Sequence, residues 1–175
     1  MNGDSVTTEK ATTLGAFWRD SVSYRVSGTL LVLIRLVLGP MWIGTGMYWL
    51  GADDATREMS RQIAGVVESG RTIGWYVPFL EGWVLPNAGL FAFLVTWGEL
   101  LTGISLTFGA ATRFGAAVGI FLTINYALLY GNPFYPPSGN WDYVWYLAVL
   151  ILGAGGRSFG VDTYLARRWP RCPLW

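Results

Sequence analysis

Four long apolar segments constrain the fold of this chain more than any other feature. They are residues 28–50, 86–108, 114–131 and 141–155. A helix rises 1.5 Å per residue, so about 20 apolar residues cross the hydrocarbon core of a bilayer. The fourth segment is short for a full span. The sequence therefore predicts an all-α membrane protein, a four-transmembrane-helix bundle.

The composition agrees with a membrane protein and excludes several kinds of redox centre. Apolar residues make up 53% of the chain and charged residues 13%, whereas soluble domains are about a quarter charged. The net charge of +1 gives no basic surface for nucleic acid. The chain has no His and a single Cys, Cys172, so the usual haem and zinc ligands and a dithiol pair are missing. We therefore expect neither haem nor metal, and any redox role must use an organic carrier such as a quinone or a cofactor held by another subunit.

The long region between the first and second segments contains two further elements. Ala55, Met59 and Ile63 recur at helical spacing with charged residues between them. This pattern predicts an amphipathic helix of about four turns in the first extracytoplasmic loop. Residues 73–85 are aromatic, contain Pro78 and are too short to span, which favours interfacial or re-entrant structure.

The distribution of Lys and Arg predicts the orientation in the cell membrane. With four spans both termini lie on one side, together with the link between the second and third segments. That side carries Lys10, Arg19, Arg25, Arg113, Arg157, Arg167, Arg168 and Arg171, and the other side carries Arg57, Arg61 and Arg71. The positive-inside rule then predicts a multi-pass protein with cytoplasmic N- and C-termini. Residues 1–27 form a tail or interfacial segment, residues 28–156 the transmembrane domain, and residues 157–175 a basic tail.

Two charged residues, Arg35 and Glu99, lie inside apolar segments. A carboxylate at such a depth costs about 2.5–3.5 kcal/mol on insertion scales, so Glu99 must be protonated, face a wet cavity or pair with a cation. Counted from the cytoplasmic ends of their segments, the two residues differ in depth by only about 3 Å. We therefore predict a contact between Arg35 and Glu99, either as a structural ion pair or as a proton-linked or anion-binding site.

The residues around Glu99 match a family pattern. Residues 98–113 fit GE-x3-G-x2-L-x2-G-x2-TR, and Arg35-Leu36 with Gly39 and Gly46 fits a first-helix signature. Over residues 28–162 the chain resembles the DoxX/DoxD-like integral membrane family in length, number of spans and motif order. The stretches VPFL, WVLP and GNPF favour the DoxD branch.

The resemblance implies a subunit of a thiosulfate:quinone oxidoreductase. In that enzyme DoxD acts with a DoxA subunit, and electrons from thiosulfate reach the quinone pool as tetrathionate forms. The expected cofactor is thus a quinone acting as electron acceptor, and a DoxA-like or other redox subunit is an expected partner besides membrane lipid.

Quinone reduction needs an apolar slot, aromatic walls and a proton donor. We assign catalytic roles to Glu99 and Arg35. Quinone binding is assigned to Trp42, Trp97, Tyr126 and Asn125, although Asn125 also suits a hydrogen bond between helices.

Two other functions stay open. The chain can be a non-catalytic membrane anchor that recruits a soluble redox partner. It can also be a small transporter or lipid-binding protein; a transporter of four spans would need to form a homo-oligomer.

Overall fold

The computed structural model describes residues 28–131, 140–153, 155–157, 159–169 and 172. These residues are helices and turns, and no strand occurs among them. The all-α prediction is therefore confirmed for the part of the chain that is described. The predictions for residues 1–27 and for most of the loop before the fourth segment lie outside these ranges.

The described part of the chain contains six helices of eight residues or more. They are α1 (Gly28–Leu50), α2 (Ala55–Glu68), α3 (Ala88–Phe108), α4 (Thr112–Tyr130), α5 (Asn140–Leu152) and α6 (Val161–Arg168). Between α2 and α3 lies a run of short helical turns over residues 74–87, which we call the connector.

Among the residues that the structure describes, three helical stretches are long and apolar enough to cross a membrane: Gly28–Leu50, Gly74–Phe108 and Thr112–Tyr130. The second of these joins the connector to α3 in 35 residues. Residues 73–85 were predicted to be interfacial or re-entrant and separate from the second segment, and that placement stays a prediction. The structure shows that the helical turns nevertheless continue into α3, because Pro78 and Pro86 both fall at the start of a helical turn, where a missing N–H costs little. The fourth predicted segment corresponds to α5, which is apolar but shorter than the three candidate spans.

Glycines set the register between α1 and α3. A Cβ on Gly103 would lie 2.5 Å from the backbone nitrogen of Ile43, and a Cβ on Gly46 would lie 2.6 Å from Cγ of Leu100. Because these positions admit no side chain, the two helices approach closely. The pairing of Gly46 with Leu100 fixes which residues of α1 face Glu99.

Two apolar clusters fill the interior. One lies between α1, α3, α4 and α5 and includes Trp42 and the fully buried Leu106, Leu147 and Leu150. The other joins α2 and the connector to the ends of the long helices. Its buried members are Trp49, Met59, Ile63, Tyr76, Leu80, Val84, Ala92 and Leu129. The second cluster holds α2 over one end of the bundle.

The helix α2 begins with a side-chain cap and presents two unlike faces. Asp54 accepts a hydrogen bond from the backbone nitrogen of Arg57 at 2.9 Å, which satisfies one of the unpaired N–H groups of the first turn. Met59 and Ile63 are buried, whereas Arg57 and Arg61 are exposed. The sequence pattern thus corresponds to a 14-residue helix with an apolar face on the bundle.

Candidate functional site

A cavity of about 600 Å³ lies below α2 and the connector. Its described lining comes from five elements: α1, α2, the connector, α3 and α4. The polar members are Thr45, Tyr48, Gln62, Tyr76, Glu99, Asn125, Tyr126 and Tyr130, and most other lining residues are apolar. Sites for small molecules are typically of about 300–1,000 Å³ and are mostly apolar with a few placed polar groups.

Among the described residues that line the cavity, Glu99 is the one with a carboxyl group. Glu99 is 2% exposed, and its Oε1 accepts a hydrogen bond of 2.5 Å from the hydroxyl of Tyr126. Its Oε2 is buried and has no hydrogen-bond partner among the described residues. The hydroxyl of Thr45 also lies beside the carboxyl group. A buried carboxyl oxygen without a partner is costly, so Oε2 is an open position for a polar ligand group.

Tyr126 also has a neighbour on α1. The side chain of Trp49 lies next to the hydroxyl group of Tyr126. Trp49 is buried, and it is one turn from Thr45 on the same face of α1. Residues of three helices therefore meet at one carboxyl group.

A second polar pair stands elsewhere in the same cavity. The hydroxyl of Tyr76 donates to Oδ1 of Asn125 at 2.6 Å. The amide nitrogen of Asn125 donates in turn to the carbonyl of Phe121 at 2.7 Å. Asn125 thus links α4 to the connector, and it lines the cavity as well.

Arg35 does not contact Glu99, so the predicted pair is wrong. Within the described ranges no ion pair joins the two side chains. The guanidinium of Arg35 instead donates to the carbonyl of Leu106 at 2.9 Å and to the carbonyl of Gly155 at 3.0 Å. Asp162 lies close enough to attract its charge. Arg35 is 1% exposed and therefore belongs to a different buried cluster from Glu99.

The pairing of Arg35 with Glu99 was predicted wrongly because the position of α1 along the bundle axis relative to α3 was assumed wrongly. Counting from the ends of the apolar segments placed Arg35 level with Glu99. Thr45, which does lie beside Glu99, is ten residues further along α1, and that separation is about 15 Å along a helix axis. The first turns of α1 extend past the end of α3 and pack on residues 155–157.

The two predicted tryptophans are not among the described residues that line the cavity. Trp42 is 4% exposed and lies in the apolar cluster between α1, α3, α4 and α5. Trp97 is 43% exposed, and its ring lies 6.2 Å from that of Phe93 on the outer surface of α3. Of the predicted site residues, the structure therefore brings together Glu99, Tyr126 and Asn125.

The residues that match a known family include those that line the cavity. The DoxX family model matches residues 30–131, more than half of the chain. The chain belongs to the DoxX family. It is thus a DoxX membrane protein with several apolar helices. The match does not distinguish the DoxD branch, and no curated protein and no solved structure matches the chain.

The matched region of this DoxX protein contains every described residue of the cavity lining. The structure also explains several positions of the pattern after Glu99. Gly103 faces the backbone of α1, and Gly109 has positive φ and lies against the guanidinium of Arg35. Leu106 is fully buried, and its carbonyl accepts from Arg35. Leu106 and Gly109 are therefore explained by their contacts with Arg35, and Gly103 by the close approach of α1 and α3.

Sequence reasoning did not assign Thr45, Trp49 or Tyr76 to the DoxX cavity. Thr45 and Trp49 are spaced by four residues, a spacing that puts them on one helix face, but only the register of α1 on α3 shows that this face meets Glu99. Tyr76 lies in the aromatic stretch that was treated as interfacial. Its contact with Asn125 spans 49 residues, and no local pattern indicates such a pairing.

Proposed function

We propose that this DoxX protein binds a quinone in the Glu99 cavity and acts as the membrane subunit of a DoxD-type thiosulfate:quinone oxidoreductase. The observation that carries the proposal is the buried, unpartnered Oε2 of Glu99 in the wall of a mainly apolar cavity of about 600 Å³. A quinone has an apolar body with two polar oxygens. A quinone therefore fits a cavity whose walls are mainly apolar and whose buried polar atom, Oε2 of Glu99, can bind one of the two oxygens.

The walls offer aromatic contacts to a flat ring. The rings of Tyr76 and Phe79 are stacked with their centres 5.3 Å apart, and Phe79 meets Phe91 edge to face at 6.4 Å. All three residues line the cavity. Aromatic side chains prefer such offset and edge contacts, so a ligand ring can extend the same arrangement.

The residues of the chain have distinct roles in this proposal. A bound quinone supplies the acceptor of two electrons and two protons. Glu99 holds or releases a proton at Oε2, which a ligand oxygen would have to approach to about 2.6–3.2 Å. Tyr126 is a positioning residue, because its hydrogen bond to Oε1 fixes the carboxyl group.

The electron donor and the partner subunit follow from the DoxD resemblance. Two thiosulfate ions that join to form tetrathionate release two electrons, which is the number that one quinone accepts. A DoxA-like or other redox subunit would carry out that oxidation and pass the electrons to the cavity. The tryptophans Trp42 and Trp97 have no part in the site proposed here, and Arg35 has a role in holding the fold.

We also propose the full topology of the predicted membrane domain. The helix α5 is the fourth span, because its Leu147 and Leu150 are fully buried against the other helices. The helix α2 then lies in the first extracytoplasmic loop, and both termini are cytoplasmic, in accord with the distribution of Lys and Arg.

Binding of a short-chain quinone to the purified protein tests this proposal. Trp49 neighbours Tyr126 in the cavity, so quenching of tryptophan fluorescence reports occupancy. We expect Glu99→Gln to weaken binding by about tenfold or more, the effect of one lost hydrogen bond to a charged or buried group. The matched control is Glu81→Gln, which alters an exposed carboxyl group outside the cavity. Equal binding by both variants would contradict the proposal.

A lipid-binding role is the second candidate function. Leu94 and Phe121 line the cavity and are 50% and 65% exposed, so part of the wall faces the surrounding lipid. An acyl chain would fill the cavity without using Oε2 of Glu99. In that case a tightly held lipid would be found in the purified protein, and Glu99→Gln would leave its amount unchanged. Absence of both quinone and lipid would favour a non-catalytic anchor.

A further inference from the structure

The C-terminal helix presents a surface that the cavity does not involve. We call it the α6 surface, and its members are Phe159, Val161, Tyr164, Arg167 and Arg168. Phe159 is 91% exposed and Tyr164 73% exposed, and both arginines are exposed. Val161, Tyr164 and Arg168 follow one another at spacings of three and four, so they share one face of α6.

The opposite face of α6 is fixed to the bundle by Asp162. This residue is fully buried, and its carboxylate accepts hydrogen bonds from the backbone nitrogens of Ala111 at 2.6 Å and Thr112 at 2.9 Å. Its own backbone nitrogen donates to the carbonyl of Gly109 at 2.8 Å. The α6 surface is therefore held rigidly against the turn between α3 and α4.

Burial of Asp162 also sets the charge of the surface. It is the only acidic residue between positions 155 and 175. With that carboxylate turned inward, the charges that α6 exposes, on Arg167 and Arg168, are both positive. The exposed charge of the helix is thus cationic and lies next to large apolar side chains.

The position of α6 indicates what covers this surface. The helix docks where α3 ends and α4 begins, which is the level at which two candidate spans leave the membrane. Phe108 and Phe114 at these helix ends are 61% and 59% exposed. Aromatic side chains beside cations at the end of a span are typical of the boundary between acyl chains and headgroups.

We propose that the α6 surface binds anionic phospholipid. Phe159, Val161 and Tyr164 enter the boundary between headgroups and acyl chains, and Arg167 and Arg168 contact the phosphates and the acidic headgroups. Arginine suits this role because its planar guanidinium binds phosphate oxygens in a bidentate manner. This inference is independent of the quinone proposal, since it uses no residue of the cavity.

The single cysteine of the chain gives a site-specific test. Cys172 lies four residues after the end of α6, and its backbone nitrogen donates to the carbonyl of Trp169 at 3.3 Å. The protein is labelled at Cys172 with a small fluorophore and reconstituted into liposomes. One set of liposomes contains spin-labelled phosphatidylglycerol as the quencher, and the other contains spin-labelled phosphatidylcholine at the same mole fraction. The ratio of the two quenching strengths measures the preference of this region for anionic lipid.

We expect the wild-type protein to prefer the anionic quencher and to lose that preference as salt is added. Arg167→Gln combined with Arg168→Gln should lower the ratio by about fivefold for each arginine near the membrane surface. Both side chains are exposed, so the fold should be retained. The matched control is Arg57→Gln combined with Arg61→Gln, which neutralises two exposed arginines on α2 and should leave the ratio unchanged.

Three results would overturn the proposal. A wild-type ratio near one would show that the region has no preference for anionic lipid. A preference that survives in the Arg167 and Arg168 variant would place the recognition elsewhere. A label that neither lipid quenches would show that α6 faces water or a protein partner.

Discussion

Replacing Asp162 by Ala should unlink α6 from the bundle. In the wild type its carboxylate accepts two backbone hydrogen bonds at the start of α4 and lies near the buried guanidinium of Arg35. Hydrogen bonds to a charged group contribute about 1.5–3 kcal/mol each. Because both hydrogen bonds are made by the same carboxylate and are lost together, we expect a loss of about 3–5 kcal/mol in the free energy of unfolding.

The assay is unfolding in detergent micelles by titration with a denaturing detergent, combined with hydrogen exchange of the amides of α6. Asp162→Asn keeps one acceptor oxygen and loses the charge, so its loss should be smaller, about 1.5–3 kcal/mol. Asp142→Asn is the matched control, because Asp142 is exposed on α5, and it should change stability by less than about 0.5 kcal/mol. If Asp162→Ala stays within about 1 kcal/mol of the wild type and α6 remains protected, the reasoning is refuted.

Two further predictions follow from glycine packing and from α2. Gly103→Ala should lower the free energy of unfolding by about 1–3 kcal/mol, because the new Cβ would overlap the backbone of Ile43. The control is Gly44→Ala, whose new Cβ would have no atom within 4 Å. This control should leave the free energy of unfolding unchanged or raise it by up to about 1 kcal/mol. Equal effects of the two substitutions in detergent unfolding would contradict the register of α1 and α3. On α2, hydrogen bonds from Arg61 lower the pKa of Glu58, so the carboxylate stabilises the folded state above its ordinary pKa and loses this effect as pH falls through the lowered pKa. Arg61→Gln should therefore raise the pKa of Glu58 in an NMR titration, and an unchanged value would show that this ion pair is absent in solution.

The helices could be predicted from the sequence because they depend on local pattern. Residues 28–50 are apolar except for Arg35 and two threonines, and α1 covers the same residues. Met59 and Ile63 are spaced by four residues, and both are buried on the inner face of α2. Hydrophobic periodicity decides such features without reference to the rest of the chain.

The site was only half predictable because its geometry depends on register between distant helices. Glu99 was identified from the cost of a charge in an apolar segment, and Tyr126 was named as an aromatic neighbour. The partner of Glu99 was misassigned, since a shift of about three turns separates Arg35 from the correct level. Only the close approach at Gly46 and Gly103 fixes that shift.

Asp162 is the clearest case of a residue that local reasoning cannot interpret. It lies in a segment that the sequence analysis treated as a basic tail, outside the residues that match the DoxX family. Its hydrogen bonds reach back 50 and 51 residues to the start of α4. A lone acid among arginines resembles a solvated charge until its contacts are known.

The most direct test of the central claim is to map where a quinone binds. The purified protein is incubated with a photoreactive quinone, irradiated and digested, and the labelled peptides are identified by mass spectrometry. The account predicts labelling of cavity residues on the connector, α3 and α4, with loss of label in Glu99→Gln and after addition of excess unlabelled quinone. Labelling confined to the outer surface around Phe93 and Trp97, or equal labelling of wild type and Glu99→Gln, would contradict a quinone site at Glu99.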